Sequence, residues 1–362
     1  MTSKAFGLAQ LGNAYADGAL SNRNKIINGA MTIDQRSAGS AVTITTASAA
    51  QYLLDRWYLR AEAAAGSKVS VQRSSVAPAG FSNSQLITSL SAYTIGASEH
   101  FATVQAVEGF NAADLSWGTA SAKTITVSFW VRSSLTGLFS GFILNGAANR
   151  CFVFSYTINA ADTWEYKTIT IPGDTTGTWV TDNGLGLYLN FTVAAGSSVS
   201  GAAGSWSSTF KRSATGQTSL VGTSGATFYL TGVQLEAGDT ATPFEHRSFG
   251  QELALCQRYY EEWQGAAGDM IGPVGQAFGS SSGETALLFM VEKRVAPTIS
   301  SSGSFQVWLG AGVAGIGSIG FAETRTKQST WQYGGAGAGS VGQAIQFFSS
   351  SGTSKVMISA EL

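Results

Sequence analysis

The stretch Thr124-Ile125-Thr126-Val127-Ser128-Phe129-Trp130-Val131 alternates hydroxyl and apolar residues up to Phe129, and this pattern limits the possible folds more than any other feature of the chain. Successive side chains of a strand point to opposite faces, so the pattern predicts a half-buried strand of an antiparallel sheet. Similar short segments recur between Gly-, Ser- and Thr-rich loops, with 44 glycines and only 5 prolines in 362 residues. This mixture favours many short strands over long helices, so the sequence predicts a mainly β protein.

The predicted elements divide the chain into four segments. Residues 1–23 form a short N-terminal segment in which Leu8, Leu11 and Tyr15 fall on one helical face. Residues 24–247 carry about ten strands, which fit one jelly-roll-type β-sandwich. Residues 248–264 are predicted as a helix, and residues 265–362 as a second, smaller, Gly-rich β domain.

A strand and a helix meet where the sandwich ends. Phe228–Glu236 has the apolar pattern of a strand, with Gly232 placed where a β-bulge would switch its face. Ser248 is the predicted N-cap of the helix, with Gln251 three residues later as its capping-box partner.

The predicted helix carries apolar residues at the four-three spacing of a coiled-coil seam, namely Phe249, Leu253, Cys256, Tyr260 and Trp263. A helix of about 15 residues is marginal alone in water. It must therefore pack either on its own chain, as a linker helix on a β domain, or on copies of itself. Periodicity alone leaves both alternatives open.

The same junction carries a family resemblance. The sequence GVQLEAG, then TPFEHR, then ELALCQRYYEEW resembles the junction in many bacteriophage tail-fibre and tail-associated proteins, where a carbohydrate-binding-module-like β-sandwich is followed by a short helix and a terminal domain. A second block, with NKIINGAM at residues 24–31, DQR at 34–36 and DRWY at 55–58, is similar to the opening of the same family. The two blocks bracket residues 24–263, about two-thirds of the chain.

Composition and motifs give no support for catalysis or cofactor binding. Two formal GxGxxG matches, Gly310–Gly315 and Gly315–Gly320, lie in no βαβ unit, and Gly279–Gly283 matches GxSxG only in a polar loop. Two histidines and two cysteines are too scattered for a zinc site, so we expect no catalytic residue, no metal and no cofactor. Calcium binding stays an open alternative, and the loop residues Asp174 and Asp182 are the candidate ligands. A formal net charge of −1 argues against a nucleic-acid partner, and no run is long enough to insert into a membrane.

The nine tryptophans are the candidates for ligand contacts, because the apolar faces of sugars stack on exposed aromatic rings. Trp57 and Trp130 are predicted core residues. Trp117, Trp179 and Trp206 lie in Gly/Ser/Thr-rich surroundings that favour exposure. In the terminal domain Trp308, Trp331 and Tyr333 are the predicted ligand-binding residues.

The resemblance implies a non-enzymatic structural protein of a phage virion, a homotrimeric tail fibre or receptor-binding protein that is assembled in the host cytoplasm. The N-terminal segment would attach to other virion proteins, the helix would align three chains, and a host cell-surface glycan is the candidate ligand. The alternatives are a capsid decoration or head-fibre protein, and a glycan-degrading tailspike. A tailspike would need paired carboxylates in a groove.

Overall fold

The computed structural model describes residues 22–45, 50–62, 66–310, 312–335 and 339–362. The protein is mainly β, as the sequence predicts, and it folds into two compact units. The first unit ends at Glu252 and also takes in Leu362, and the second comprises Leu253–Glu361. The predicted attachment residues Leu8, Leu11 and Tyr15 lie outside the described residues. In the part of the chain that the structure describes, no helix has the length and apolar character needed to span a membrane.

Within the described residues, fifteen strands form the framework of the first unit. In chain order they are β1 (Val42–Thr43), β2 (Ala50–Leu54), β3 (Trp57–Glu62), β4 (Val69–Ser74), β5 (Ser84–Ser89), β6 (His100–Glu108), β7 (Ile125–Ser133), β8 (Gly137–Asn145), β9 (Cys151–Ile158), β10 (Glu165–Ile171), β11 (Leu185–Ala195), β12 (Ser200–Gly201), β13 (Trp206–Ser207), β14 (Ser213–Ala214) and β15 (Thr227–Ala237). One α-helical turn, α1 (Gly109–Ala112), and two 3₁₀ turns, Ala113–Leu115 and Leu220–Gly222, lie between strands.

Thirteen of these strands build a jelly-roll-type sandwich of two antiparallel sheets, and β12 and β14 form a separate two-stranded parallel sheet. The six-stranded sheet has the order β1-β4-β5-β15-β7-β10, and the seven-stranded sheet has the order β13-β9-β8-β11-β6-β3-β2. Phe129 of β7 joins them, because its ring lies 5.0 Å from Tyr156 and 4.8 Å from Phe191 in the opposite sheet. Phe139 and Phe228 meet across the same core at 5.7 Å.

The two outer faces of the sandwich differ. The outer side of the seven-stranded sheet holds a second apolar cluster, in which Phe142, Leu144, Cys151 and Val153 pack with Ala214 of the 200–214 segment. This part of the face is filled by the protein's own chain. The outer side of the six-stranded sheet keeps partly exposed side chains along β7, β10 and β15.

A buried polar clasp ties the start of the sandwich to its end. We define it as Asn24, Asn28, Glu245, Arg247 and Glu252. The backbone N–H of Asn24 donates to Glu245 at 2.7 Å, and its side-chain amide donates to the carbonyl of Val233 at 3.1 Å. The backbone N–H of Asn28 donates to Glu252. Both blocks of the family resemblance therefore contribute residues to this clasp.

Arg247 is the centre of the clasp. Its guanidinium donates to the carbonyls of Asn24 and Ile26 and lies 3.5 Å from both Glu245 and Glu252. Only 6% of the Arg247 side chain is exposed. Removal of the cation would leave two poorly hydrated carboxylates without their partner, which is costly.

The described part of the second unit contains ten strands. In chain order they are β16 (Tyr260–Gly265), β17 (Gly275–Gly279), β18 (Ser282–Leu288), β19 (Thr298–Ser302), β20 (Phe305–Trp308), β21 (Val313–Gly315), β22 (Ser318–Ala322), β23 (Gln328–Gly334), β24 (Ala344–Ser349) and β25 (Ser354–Ser359). A three-stranded sheet has the order β16-β25-β19, and a seven-stranded sheet has the order β21-β20-β24-β17-β18-β23-β22. Their inner faces share one core, which includes Val307, Trp331, Phe347, Val356 and Ile358.

The helix predicted for residues 248–264 is wrong in its second half. The helix α2 runs from Phe249 to Gln257, with Ser248 as the predicted N-cap, whose Oγ accepts from the N–H of Gln251 at 3.4 Å. Tyr260 and Trp263 lie on β16 instead, where residues 260–265 pair with β25 along their whole length. The aromatic residues after the helix have a high strand propensity, and pairing with β25 satisfies their backbone better than extension of a marginal helix.

The predicted seam is consequently not one helical face. Phe249 is 66% exposed, whereas Cys256 is fully buried and Tyr260 belongs to a strand. Leu253 is half-buried. Self-association through a continuous seam from Phe249 to Trp263 is excluded by this geometry, although self-association through another surface is not.

We expect Arg247→Ala to lower the free energy of unfolding of the first unit by about 3–5 kcal/mol, because Glu245 and Glu252 then stay buried without a cation. Chemical denaturation followed by fluorescence measures this loss. Asp114→Ala is the control, since it breaks a partly exposed ion pair to Lys25 at 2.7 Å and should cost at most about 1 kcal/mol. Equal effects of the two substitutions would contradict the role of the clasp.

Candidate functional site

The candidate site is the outer side of the six-stranded sheet. Adjacent residues of β7 point to opposite sides, so Phe129 is fully buried in the core while Trp130 is only partly buried and points outward. The prediction that Trp130 belongs to the core is therefore wrong. Its cross-strand neighbour on β10 is Tyr166, which is 44% exposed, and the two ring centroids lie 5.3 Å apart.

A glycine allows more rings to join this pair. The β-bulge predicted at Gly232 is confirmed, since the register of β15 against β7 shifts between Thr231 and Gln234 and Gly232 has a φ of +60°. A Cβ at Gly232 would lie 2.7 Å from the ring of Phe81 and 3.0 Å from that of Trp130. A side chain at this position would clash with both rings, so Gly232 leaves the space beside it to Phe81 and Trp130.

Phe81 continues the row toward the chain segment that follows β15. Its ring centroid is 5.0 Å from Phe244 and 5.3 Å from His246, and the latter two rings are 4.9 Å apart. We call Tyr166, Trp130, Phe81, Phe244 and His246 the aromatic band. All five rings are partly or well exposed, so the band is a surface feature rather than part of the core.

A second aromatic pair lies beside the band. Tyr229 of β15 packs against Trp164 with ring centroids 6.0 Å apart. The guanidinium of Arg132 lies 5.2 Å from the centre of the Tyr229 ring and also pairs with Asp162 at 3.2 Å. Exposed hydroxyls follow on β10, where Thr168 and Thr170 alternate with inward residues. The face therefore combines aromatic rings with hydroxyl and guanidinium groups.

The three residues of the terminal unit that are predicted to bind ligand differ in their exposure to solvent. Trp308 is 40% exposed on β20, so it remains a candidate. Trp331 is fully buried and Tyr333 is 3% exposed, so the prediction that these two residues bind ligand is wrong. They lie two residues apart on β23 and so share its inward face, where Trp331 stacks on Phe347 at 4.5 Å.

Three tryptophans of Gly-rich segments pack on one another. Trp117, Trp179 and Trp206 have ring centroids 4.7–5.5 Å apart, and each indole N–H donates to a backbone carbonyl. Trp117 is only 7% exposed, and the other two are half-buried. This trio closes one end of the sandwich, and its geometry indicates packing rather than a binding platform.

The carboxylate of Asp174, a candidate calcium ligand, is already paired with a cationic side chain of the protein. Arg150 donates to both of its carboxylate oxygens at 2.6 and 2.7 Å. Burial acts to raise the pKa of Asp174, but the hydrogen bonds from Arg150 and Thr176 outweigh this effect and hold the pKa below its usual range. Asp182 accepts from the N–H of Gly184 in its own turn. Over the described ranges no cluster of three potential ligands could hold a metal ion.

The two cysteines and His100 are buried groups. The side chains of Cys151 and Cys256 have almost no exposure. Burial raises the pKa of Cys151 to about 11, so its thiol stays protonated at neutral pH. Burial and the nearby cations Arg212 and Arg60 lower the pKa of His100 to about 3, so this imidazole is neutral at physiological pH.

Comparison with known proteins gives similarities of fold. No protein-family model matches the chain. No curated protein matches it either. Among solved structures, the chain is similar to the enzymatically active domain of tailspike protein 4 of bacteriophage CBA120, with 13% identity over 51% of this chain and a TM-score of 0.30. The match covers only 19% of that tailspike chain.

Two sugar-binding structures are also similar. The family 11 carbohydrate-binding module from Clostridium thermocellum, in complex with a β-1,3-1,4-mixed-linked tetrasaccharide, shares 15% identity over 58% of this chain and all of its own, with a TM-score of 0.29. A putative sugar binding protein from Bacteroides thetaiotaomicron shares 11% identity over 60% of this chain and all of its own, with a TM-score of 0.34.

The burial of these rings predicts different costs for two tryptophan substitutions. Trp331→Ala should lower the free energy of unfolding of the terminal unit by about 3–5 kcal/mol, because it leaves a large cavity in the core. Trp130→Ala removes a half-exposed ring and should cost the first unit less than about 1.5 kcal/mol. Thermal unfolding of both variants by calorimetry measures the difference. A loss for Trp130→Ala as large as that for Trp331→Ala would place Trp130 in the core and remove it from the site.

Proposed function

We propose that the protein is a non-catalytic glycan-binding protein of a bacteriophage virion, which attaches the particle to the host surface, and that the glycan lies on the aromatic band. One observation carries this proposal: the five rings of the aromatic band, which begins with Tyr166 and Trp130 on neighbouring strands, stay partly or well exposed on the outer side of the six-stranded sheet. Exposed ring clusters are unusual on a surface that has no binding role.

The chemistry of the band suits a sugar chain. The C–H faces of a pyranose ring are apolar and stack on aromatic rings, while nearby polar groups form hydrogen bonds with its hydroxyl groups. Trp130 and Tyr166 are inclined by 47° to each other, so the two rings form a shallow, angled platform. Thr168 lies two residues beyond Tyr166 on the same exposed side and can hydrogen-bond to sugar hydroxyls.

The carboxylates near the band favour binding over cleavage. Glycoside hydrolysis uses two carboxyl groups that flank the scissile bond. Asp162 is paired with Arg132. Glu236 is 2% exposed and accepts hydrogen bonds from Thr242, and Glu245 belongs to the buried clasp. Each of these three carboxylates is therefore held by an ion pair or by buried hydrogen bonds within the protein.

The place of the protein in a virion rests on the family resemblance at its junction. Tail fibres hold several copies of one chain, so weak contacts of each band with a repetitive surface glycan would add up to firm attachment. In this proposal the N-terminal residues hold the particle, the sandwich of the first unit carries recognition, and the chain works as a homotrimer. The proposal moves recognition from the terminal unit to the sandwich, because two of the three terminal candidates are core residues.

Binding to immobilised neutral and bacterial surface polysaccharides tests the proposal. Wild-type protein should bind at least one of them, and Trp130→Ala or Tyr166→Ala should weaken that binding about 2- to 10-fold per site, since a ring contact is worth about 0.5–1.5 kcal/mol. Phe110→Ala is the matched control, because Phe110 is 61% exposed but lies on α1, away from the band. Calorimetric titration gives the affinity per chain.

Two results would contradict the proposal. If the wild type binds a polysaccharide and both band variants bind it as tightly, the band is not the site. If new reducing ends appear when the protein is incubated with the bound polysaccharide, the protein is an enzyme and not only a binding protein.

A further inference from the structure

The aromatic band runs across the strands of the six-stranded sheet rather than along them. Trp130 on β7 is the registered partner of Tyr166 on β10 and of Thr231 on β15, and these three strands are neighbours in the sheet. The ring of Phe81 follows at Gly232, the residue after Thr231. Neighbouring strands lie about 4.8 Å apart, and the ring centroids of Trp130 and Tyr166 are 5.3 Å apart. A ligand that contacts one ring after another must therefore cross the strands.

The rings of the band are not coplanar. Trp130 is inclined by 47° to Tyr166. The ring of Phe81 is inclined by 69° to Phe244 and by 39° to His246. A flat, crystalline polysaccharide surface stacks only on rings that share one plane, whereas a single chain can rotate from one sugar to the next and follow the changing tilt. The geometry of the band therefore favours a single glycan chain over a packed polysaccharide surface.

The outer side of the six-stranded sheet exposes almost no unpaired charge. Among its described outward residues only Arg132 and Glu236 are charged. Glu236 is 2% exposed and accepts hydrogen bonds from the backbone N–H and the hydroxyl of Thr242. Arg132 lies two residues after Trp130 on the same side of β7, which places it about 7 Å along the strand from the band. Within the described part of this face, a glycan on the band can therefore reach one outward cation.

Asp162 neutralises this cation. Its carboxylate lies 3.2 Å from the guanidinium of Arg132, and 57% of the Asp162 side chain is exposed, against 24% of the Arg132 side chain. The loop that carries Asp162 is tied to β10, because Glu165 accepts from the backbone N–H groups of Asn159 and Ala160 at 2.7 and 2.9 Å. An anionic sugar that approached Arg132 would also meet the more exposed carboxylate, and like charges repel.

We propose that Asp162 is a specificity residue, and that the ligand of the band is a single, uncharged glycan chain that lies across the strands. Asp162 cancels the attraction that Arg132 would otherwise exert on carboxylated or sulfated sugars. The hydroxyl groups of an uncharged sugar both donate and accept hydrogen bonds, so they suit both members of the ion pair. The assignment rests on the proposed function, because it concerns the ligand of the same site.

Calorimetric titration of the full-length protein with soluble polysaccharides tests the class of glycan. The titrations are made at about pH 8, where an unperturbed imidazole is uncharged. The wild type should bind at least one of the neutral polysaccharides laminarin, dextran, mannan and galactan more tightly than the anionic polygalacturonate and hyaluronate. Its affinity should change less than about 2-fold between low and high salt, because no net charge is involved. Microcrystalline cellulose should not retain the protein.

Two substitutions at the ion pair test the role of Asp162. Asp162→Asn should raise the affinity for polygalacturonate about 2- to 5-fold, since it frees the charge of Arg132. The gain should disappear at high salt and in the double variant Asp162→Asn/Arg132→Gln. The matched control is Asp114→Asn, which should leave polygalacturonate binding at the wild-type level. It removes the same charge from an ion pair with Lys25, Asp114 is 52% exposed, and neither residue belongs to the six-stranded sheet.

Failure of this specificity can be told apart from failure of the proposed function. If the wild type binds an anionic polysaccharide more tightly than every neutral one and Trp130→Ala weakens that binding, the band is a glycan site but its ligand is not uncharged. Wild-type selectivity in Asp162→Asn, or retention on microcrystalline cellulose through the same rings, would also overturn the inference. If the wild type binds no polysaccharide, or if Trp130→Ala and Tyr166→Ala leave binding unchanged, the proposed function itself fails.

Discussion

The sandwich depends on the interaction of Arg247 with the two ends of its own unit. The guanidinium holds the carbonyls of Asn24 and Ile26 on the entering chain and lies between Glu245 and Glu252 on the leaving chain. Asn28 adds a second tie, because its side-chain amide donates to the carbonyls of Ile33 and Asp55 and its own carbonyl accepts from the indole of Trp57. The motif residues at the two ends of the sandwich are therefore structural. They fix where β15 passes, and with it the position of Gly232.

The position of Gly232 in turn shapes the aromatic band. The bulge changes the register of the β15 residues that follow it, and the missing side chain leaves room for the rings of Phe81 and Trp130 on the same glycine. Phe244 and His246 come from the segment that leads into the clasp, so the same chain path that closes the sandwich also completes the band. The strand β15 and the residues that follow it thus contribute to both the scaffold and the site.

Much of the fold could be predicted from the sequence, because polar and apolar residues alternate along many of its strands. The Gly232 bulge and the Ser248 cap follow from residue type alone. The strand Ser84–Ser89 carries little local signal, because two of its buried residues, Ser84 and Gln85, are polar. The strand after α2 continues the apolar spacing of the helix in the sequence, and its pairing with β25 is a long-range contact that no local pattern contains.

The site was harder to predict, for two physical reasons. Strict alternation with Phe129 places Trp130 outside the core, whereas the apolar character of the neighbouring residues favours burial of both. Phe81 and Phe244 lie in loops and meet only in the folded chain, so no local pattern marks them. In the terminal unit, alternation alone pairs Trp331 with Tyr333 on one face but does not say which face is buried.

The most direct test of glycan recognition by the aromatic band is an experimental structure of the protein with the oligosaccharide that it binds most tightly. The account predicts sugar rings stacked on Trp130 and Tyr166, on the outer side of the six-stranded sheet. Sugar bound only on the other side of the sandwich or on the terminal unit, with these two rings uncovered, would contradict it.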